Sequence, residues 1–168
     1  MTTAMEVAAS LRSRGMTLAL AESMTGGLVT SRLTDVPGAS DFLLLGVVAY
    51  SEASKRDILG VREITLRDHG AVSAEVAVEM AERARLLANA DLGASCTGIA
   101  GPTGATMDNP LGTAFLACVG RGYERMERMR FEGGRLQVKE SVCEHLLLMI
   151  MEAVEFHGGG GRSKGSGE

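Results

Sequence analysis

Ser40, Tyr50 and Lys55 flank an apolar run, in a stretch (38–55) that reads GASDFLLLGVVAYSEASK. A serine alcohol becomes a competent nucleophile only when a nearby base removes its proton. The chain holds three histidines in all, so a lysine is the most accessible base. Lys55 could serve once its pKa falls from ~10.4 to ~7, a cost of ~4 kcal/mol that burial or a neighbouring cation can supply. Tyr50, which ends the run about one helical turn before Lys55, could relay the proton or orient the hydroxyl. The local sequence equally admits a plainer arrangement, with Ser40 in a turn, Tyr50 packed and Lys55 solvated. Spacing along the chain cannot bring Ser40 to Lys55; only the fold can.

Two further clusters carry chemistry. In AESMTGG (21–27), Ser23 and Thr25 follow a short apolar run, and Gly26 and Gly27 precede a helical segment. Thr25 could simply cap that helix. Alternatively, Gly26, Gly27 and the helix N-terminus could offer N–H groups to an anion or an amide oxygen. No Gly-Lys-Ser/Thr follows and no Gly-x-Gly-x-x-Gly is present, so neither nucleotide fingerprint applies. The second cluster, SCTGIAGPTGATMDNPLGT (95–113), has Thr97 where a strand should end and Gly98 at the start of a glycine-rich loop. Connections this long are uncommon unless functional or mobile. Arg135, beside two glycines in EGGR, could hold a phosphate through its planar fork or lie exposed.

Other reactive side chains suggest less. Cys96, Cys118 and Cys143 are widely spaced and match no metal-ligand pattern, so they read as reduced thiols of a cytoplasmic protein, with Cys96 as buried filler. His69, His145 and His157 form no ligand pair. No metal site is expected.

These groups must be positioned by a modest chain. At 168 residues, one domain can bury roughly 70% of its unfolded surface without staples. With no Trp, two Tyr and four Phe, the core must be built of Leu, Val, Ala and Met, and a base-stacking platform is disfavoured. A net charge of −4 without a long Lys/Arg block disfavours a nucleic-acid partner. The opening residues lack a secretory signal, and the nine-residue run FLLLGVVAY falls short of the ~20 a membrane helix needs.

Periodicity predicts helices over 4–14, 28–36, 51–60, 74–90 and 135–156, with Ser51 and Ser73 as N-caps and Gly60 as a stop. Strands are expected at 17–20, within 42–49, from 91 into the glycine-rich loop, and as an antiparallel pair near 112–131 turning at Arg121-Gly122. The alternation predicts a single-domain α/β layered sandwich, a mixed, mostly parallel sheet flanked by helices. Residues 1–157 form the domain in this reading, and the Gly/Ser-rich 158–168 a disordered tail.

ALAESMTGG, TDVPGASDFLLLGVVAYSEASK, HGAVS and TGIAGPTG…NPLGT, in that order over residues 5–155, resemble the family of the CinA C-terminal domain. That family includes stand-alone, PncC-type deamidases of nicotinamide mononucleotide, and the resemblance is to that stand-alone form. The resemblance implies an α/β fold that hydrolyses the carboxamide to nicotinate mononucleotide and ammonia, without cofactor, in a homo-oligomer. It assigns the nucleophile to Ser40, the base to Lys55 and an assisting role to Tyr50. Supporting hydroxyls fall on Ser23 and Thr97, and a substrate-binding arginine on Arg135. Thr25, Gly26, Gly27 and Gly98 join the expected substrate-binding set. Met24 stands where the family often has Cys, and Gly134 where it has Asp. A nucleotide-sensing domain without turnover is the rival reading.

Overall fold

The computed structural model describes residues 3–159. α1 (Thr3–Arg14) buries Ala4, Val7, Ala8 and Leu11, a stripe at helical spacing. The strands are β1 (Leu18–Glu22), β2 (Leu43–Val48), β3 (Leu92–Gly98), β4 (Thr113–Gly120) and β5 (Tyr123–Arg130). They form one sheet in the order β2-β1-β3-β4-β5. β1 lies parallel to both β2 and β3, whereas β4 is antiparallel to β3 and to β5. β4 alone therefore opposes the other four, which bears out the mixed sheet.

β1 and β3 are central, and their residues are buried on both faces apart from Gly98, as parallel strands between two helical layers must be. Alternation sorts their side chains between the layers. Leu18, Leu20, Ala94, Leu116 and Cys118 face α1, α2 (Leu28–Thr34) and α6 (Arg135–Gly159). Ala19 and Ala21 face the opposite layer with Val76, Met80 and Ala84 of α5 (Ala74–Ala88). That layer is completed by α3 (Glu52–Ser54) and α4 (Glu63–His69). No helix among the described residues is long and apolar enough to cross a membrane.

Local signals act as expected at several ends. The Ser73 hydroxyl accepts from the Val76 N–H at 3.3 Å, and Ser51 and Ser54 cap each other reciprocally. Asn89 at φ 51° ends α5 and Gly60 at φ 83° closes the 51–60 segment. That segment, however, is three residues of α-helix running into a π-helical turn at Lys55–Leu59, a distortion often found at functional sites. α6 extends to Gly159, past the expected end and into the segment assigned to the tail. The rest of that segment lies outside the described residues.

α5 approaches the sheet closely because the facing positions are small. A Cβ on Gly93 would collide with the Ala81 carbonyl oxygen, and the Ser95 hydroxyl donates to the Ala77 carbonyl at 2.5 Å. The obstruction at Gly93 is backbone, which a rotamer change cannot relieve. Gly93→Ala is therefore expected to lower unfolding free energy by about 3 kcal/mol, the upper end of overpacking costs, measured by urea denaturation. A change below about 0.5 kcal/mol, within the ordinary range for surface substitutions, would contradict this packing.

Candidate active site

The carboxyl ends of β1, β2 and β3 share one edge of the sheet. In the order β2-β1-β3, the chain's path leaves β1 to one side and then to the other, so a crevice opens above β1 and β3, where open α/β sheets bind ligands. Ser23 is the first residue after β1, and its N–H continues the ladder by donating to the Cys96 carbonyl at 3.1 Å. Thr97 and Gly98 end β3, and Tyr50 follows β2. Ser23, Tyr50, Lys55, Thr97, Gly98 and Arg135 line one cleft of about 310 Å³.

Lys55 enters this cleft from the π-turn. It is 1% exposed, and its Nζ lies 2.8 Å from the Ser23 Oγ and 2.8 Å from the Ala49 carbonyl oxygen. No carboxylate among the described residues hydrogen-bonds to it. Burial disfavours the ammonium and brings the pKa down to about 8, against small opposing effects of Cys96 and Glu52. About a tenth of this amine is thus neutral at pH 7. Burial pushes the Cys96 thiol up to about 11, which leaves it protonated and a poor nucleophile.

Ser40 is not in the cleft. It belongs to the 3-10 turn Ala39–Asp41 that precedes β2, whereas Tyr50 and Lys55 follow that strand. The six residues of β2 span ~20 Å, so within one chain Ser40 and Lys55 sit at opposite edges of the sheet. Arg12 holds the Ser40 turn against α1, through Asp41 at 3.8 Å and the Pro37 carbonyl. The expected meeting of Ser40 with Lys55 is corrected: the alcohol at Lys55 is Ser23.

The anion cradle expected at Thr25, Gly26 and Gly27 is corrected as well. Its donors are already taken by Glu22, the buried last residue of β1. Glu22 Oε2 accepts from the Thr25 hydroxyl at 2.6 Å, the Gly27 N–H at 3.1 Å and the Val29 N–H at 3.1 Å. Oε1 accepts from the Thr30 N–H at 2.8 Å and its hydroxyl at 2.6 Å. The Gly26 N–H closes the turn on the Ser23 carbonyl at 3.1 Å. A negative side chain supplied from β1 thus satisfies the positive end of α2. Sequence reasoning missed Glu22, although an acid just before a Thr-Gly-Gly helix start is a capping signal.

Thr97 and Gly98 shape the cleft. The Thr97 hydroxyl donates to the Ala71 carbonyl at 2.7 Å, and Asn109 Nδ2 donates to the Val72 carbonyl at 3.1 Å. Together they fasten the 70–73 connection and the glycine-rich loop into one wall. A Cβ on Gly98 would strike the Met24 sulfur and the Thr113 carbonyl. Arg135 crosses the mouth, donating to the Gly101 carbonyl and to the Tyr50 hydroxyl, each at 2.8 Å. Tyr50 is 58% exposed and is held to Arg135.

A three-layer α/β sheet with a buried serine–lysine pair above its parallel edge defines the class. The family profile described as CinA C-terminal domain matches residues 1–154, and the chain belongs to that family. It is 51% identical over 143 residues to a CinA-like protein of Syntrophotalea carbinolica, covering 84% of this chain and 35% of that protein. A CinA-like protein of Citrifermentans bemidjiense is 50% identical over 133 residues, with 79% and 32% covered. The chain thus spans about a third of the length of these curated relatives. Among solved structures, a competence-damaged protein (CinA) superfamily protein from Klebsiella pneumoniae superposes with a TM-score of 0.88 at 34% identity, covering 92% of this chain and 96% of that one. The competence/damage inducible protein CihA of Agrobacterium tumefaciens gives 0.87 at 34% identity, with 91% and 93% covered.

Glu22 leaves a stability signature. Glu22→Ala strips several helix-start donors of their acceptor in a buried place, so unfolding free energy is expected to fall by about 3 kcal/mol, read from chemical denaturation. A loss below about 0.5 kcal/mol would show that water replaces the carboxylate without cost.

Proposed function

We propose that this protein is an amidohydrolase in which Ser23 is the nucleophile and Lys55 the general base, acting on the carboxamide of nicotinamide mononucleotide. The observation that carries the reading is the 2.8 Å contact between the Ser23 Oγ and a buried Lys55 Nζ whose pKa lies at about 8. When the amine is neutral, the serine proton can move along this contact to Nζ as Oγ attacks the carboxamide carbon. Lys55 then returns that proton to the departing nitrogen, ammonia leaves, and an ester on Ser23 is formed. Water, deprotonated by Lys55, attacks the ester and releases the acid and the free alcohol.

The oxyanion needs donors preorganised where charge develops. Ser23 lies on a tight connection from β1 to α2, as nucleophiles of strand–turn–helix hydrolases do, and in such elbows the next residue's N–H faces the oxyanion. Here that residue is Met24, whose N–H has no acceptor among the described residues. Tyr50 and Arg135 lie at the mouth and serve binding rather than proton transfer. Among the described residues no carboxylate lines the cleft, while the Arg135 guanidinium does, which suits an anionic substrate.

Ammonia release from nicotinamide mononucleotide tests the reading. Ser23→Ala is expected to lower kcat by at least about a thousandfold, while Ser40→Ala stays within about twofold of the parent. In the parent, kcat/KM should rise about tenfold per pH unit up to about pH 8 and level above it, because only the neutral amine accepts the proton. Activity that survives Ser23→Ala, or that vanishes with Ser40→Ala, would overturn the assignment. Tight binding without ammonia release would favour a sensing domain.

A further inference from the structure

We infer that Lys139 is a specificity-determining residue: with Arg135 it forms a subsite for a phosphomonoester carried by the substrate, beside the Ser23 turn. The inference rests on the amidase reading above and names the residue through which the substrate's charge class would be selected.

In many α/β proteins a phosphate sits at the helix start that follows the first strand. That place is closed here, because the Glu22 carboxylate accepts from the Gly27, Val29 and Thr30 N–H groups. A dianion bound in this cleft would be repelled by Glu22 and must be neutralised by other groups. The cations that can do so lie on the first turns of α6.

Arg135 and Lys139 are one helical turn apart, so they project on the same side of α6. The rotation of the helix is fixed by Val138 and Val142, both buried, which leaves this pair beside the buried stripe, with Arg135 lining the cleft. Lys139 Nζ lies 3.7 Å from the point a Cβ on Gly26 would occupy, which sets the ammonium against the turn that carries Ser23. Gly26 adopts φ 66° and has no side chain to fill the space between that turn and α6.

Neither charge is compensated. Arg135 donates to a carbonyl and a phenol, both neutral, and Lys139 has no carboxylate partner among the described residues. The adjacent Glu140 is engaged elsewhere, 2.8 Å from Arg32. Several other cations, among them Arg62 and Arg85, are paired with glutamates. Two cations one helical turn apart, Arg135 in the lining of a cleft without carboxylates and Lys139 beside the Gly26 turn, constitute a binding potential for a compact dianion. An amide at Ser23 and a phosphate at the α6 rim are the two ends of one substrate.

The test compares ammonia release from nicotinamide mononucleotide and from its uncharged riboside. In Lys139→Ala, the ratio of kcat/KM for the phosphorylated over the neutral substrate should fall roughly tenfold, mostly through KM, as for a lost charge-assisted contact. Lys139→Arg should recover most of it, and Lys139→Glu should lower it further. A ratio unchanged in Lys139→Ala would overturn the inference. Calorimetric binding of ribose 5-phosphate to the Ser23→Ala protein separates this from the amidase reading. Roughly tenfold weaker binding on adding Lys139→Ala sustains the subsite even if no ammonia is ever released, and equal binding refutes it.

Discussion

An amine held out of water between an alcohol and a peptide carbonyl is the feature around which the rest of this molecule is arranged. Lys55 Nζ has two partners, Ser23 Oγ and the Ala49 carbonyl, both neutral. Bringing its pKa from 10.5 to about 8 corresponds to roughly 3 kcal/mol of destabilisation of the ammonium. That cost is present in full below pH 8 and fades as pH rises toward 10.5, because the unfolded chain keeps its proton longer. Such a penalty persists only where the surrounding structure over-determines the geometry. In return the amine can lose its proton near neutral pH, as a histidine would.

The over-determination is visible on every side of the amine. β2 ends at Val48, and its next residue, Ala49, still bonds to β1 through its N–H and the Glu22 carbonyl at 2.8 Å. This fixes the carbonyl that Lys55 uses. The π-turn changes the direction of the 51–60 segment at Lys55 itself, aiming the side chain inward where a continued α-helix would shift its bearing. Glu22 holds the opposite wall by satisfying the start of α2, so that Ser23 sits on a turn with little freedom. Gly98, at the end of β3, lets the Met24 side chain and the Thr113 carbonyl close in beside the cleft.

Much of the architecture could be read before any coordinates. Ser73 and Asn89 delimit α5 by cap chemistry, Arg121-Gly122 makes the β4–β5 hairpin, and the small-residue runs of β1 and β3 mark strands buried on both faces. Their signals are local, so the sequence carries them directly. Tyr50, Lys55, Thr97 and Arg135 were also identified and do converge on one cleft. The pairing of Ser40 with Lys55 failed for a topological reason. Two residues flanking one strand emerge at opposite edges of the sheet, whereas residues following different parallel strands emerge together. Ser23 and Lys55 obey that rule, and strand order, not spacing, decides it. Glu22 was overlooked, although its place just before a Thr-Gly-Gly helix start is a capping signal, because it also ends a buried apolar strand.

Covalent chemistry at the serine gives the most direct discrimination. Turnover of nicotinamide mononucleotide quenched in acid within the first cycles, followed by peptide mapping by mass spectrometry, locates the acyl group. The account predicts a nicotinoyl nucleotide ester on the peptide containing Ser23, and none in a Lys55→Met variant. An ester on Ser40, or hydrolysis that proceeds at full rate with no acyl adduct trapped under any quench, would contradict it.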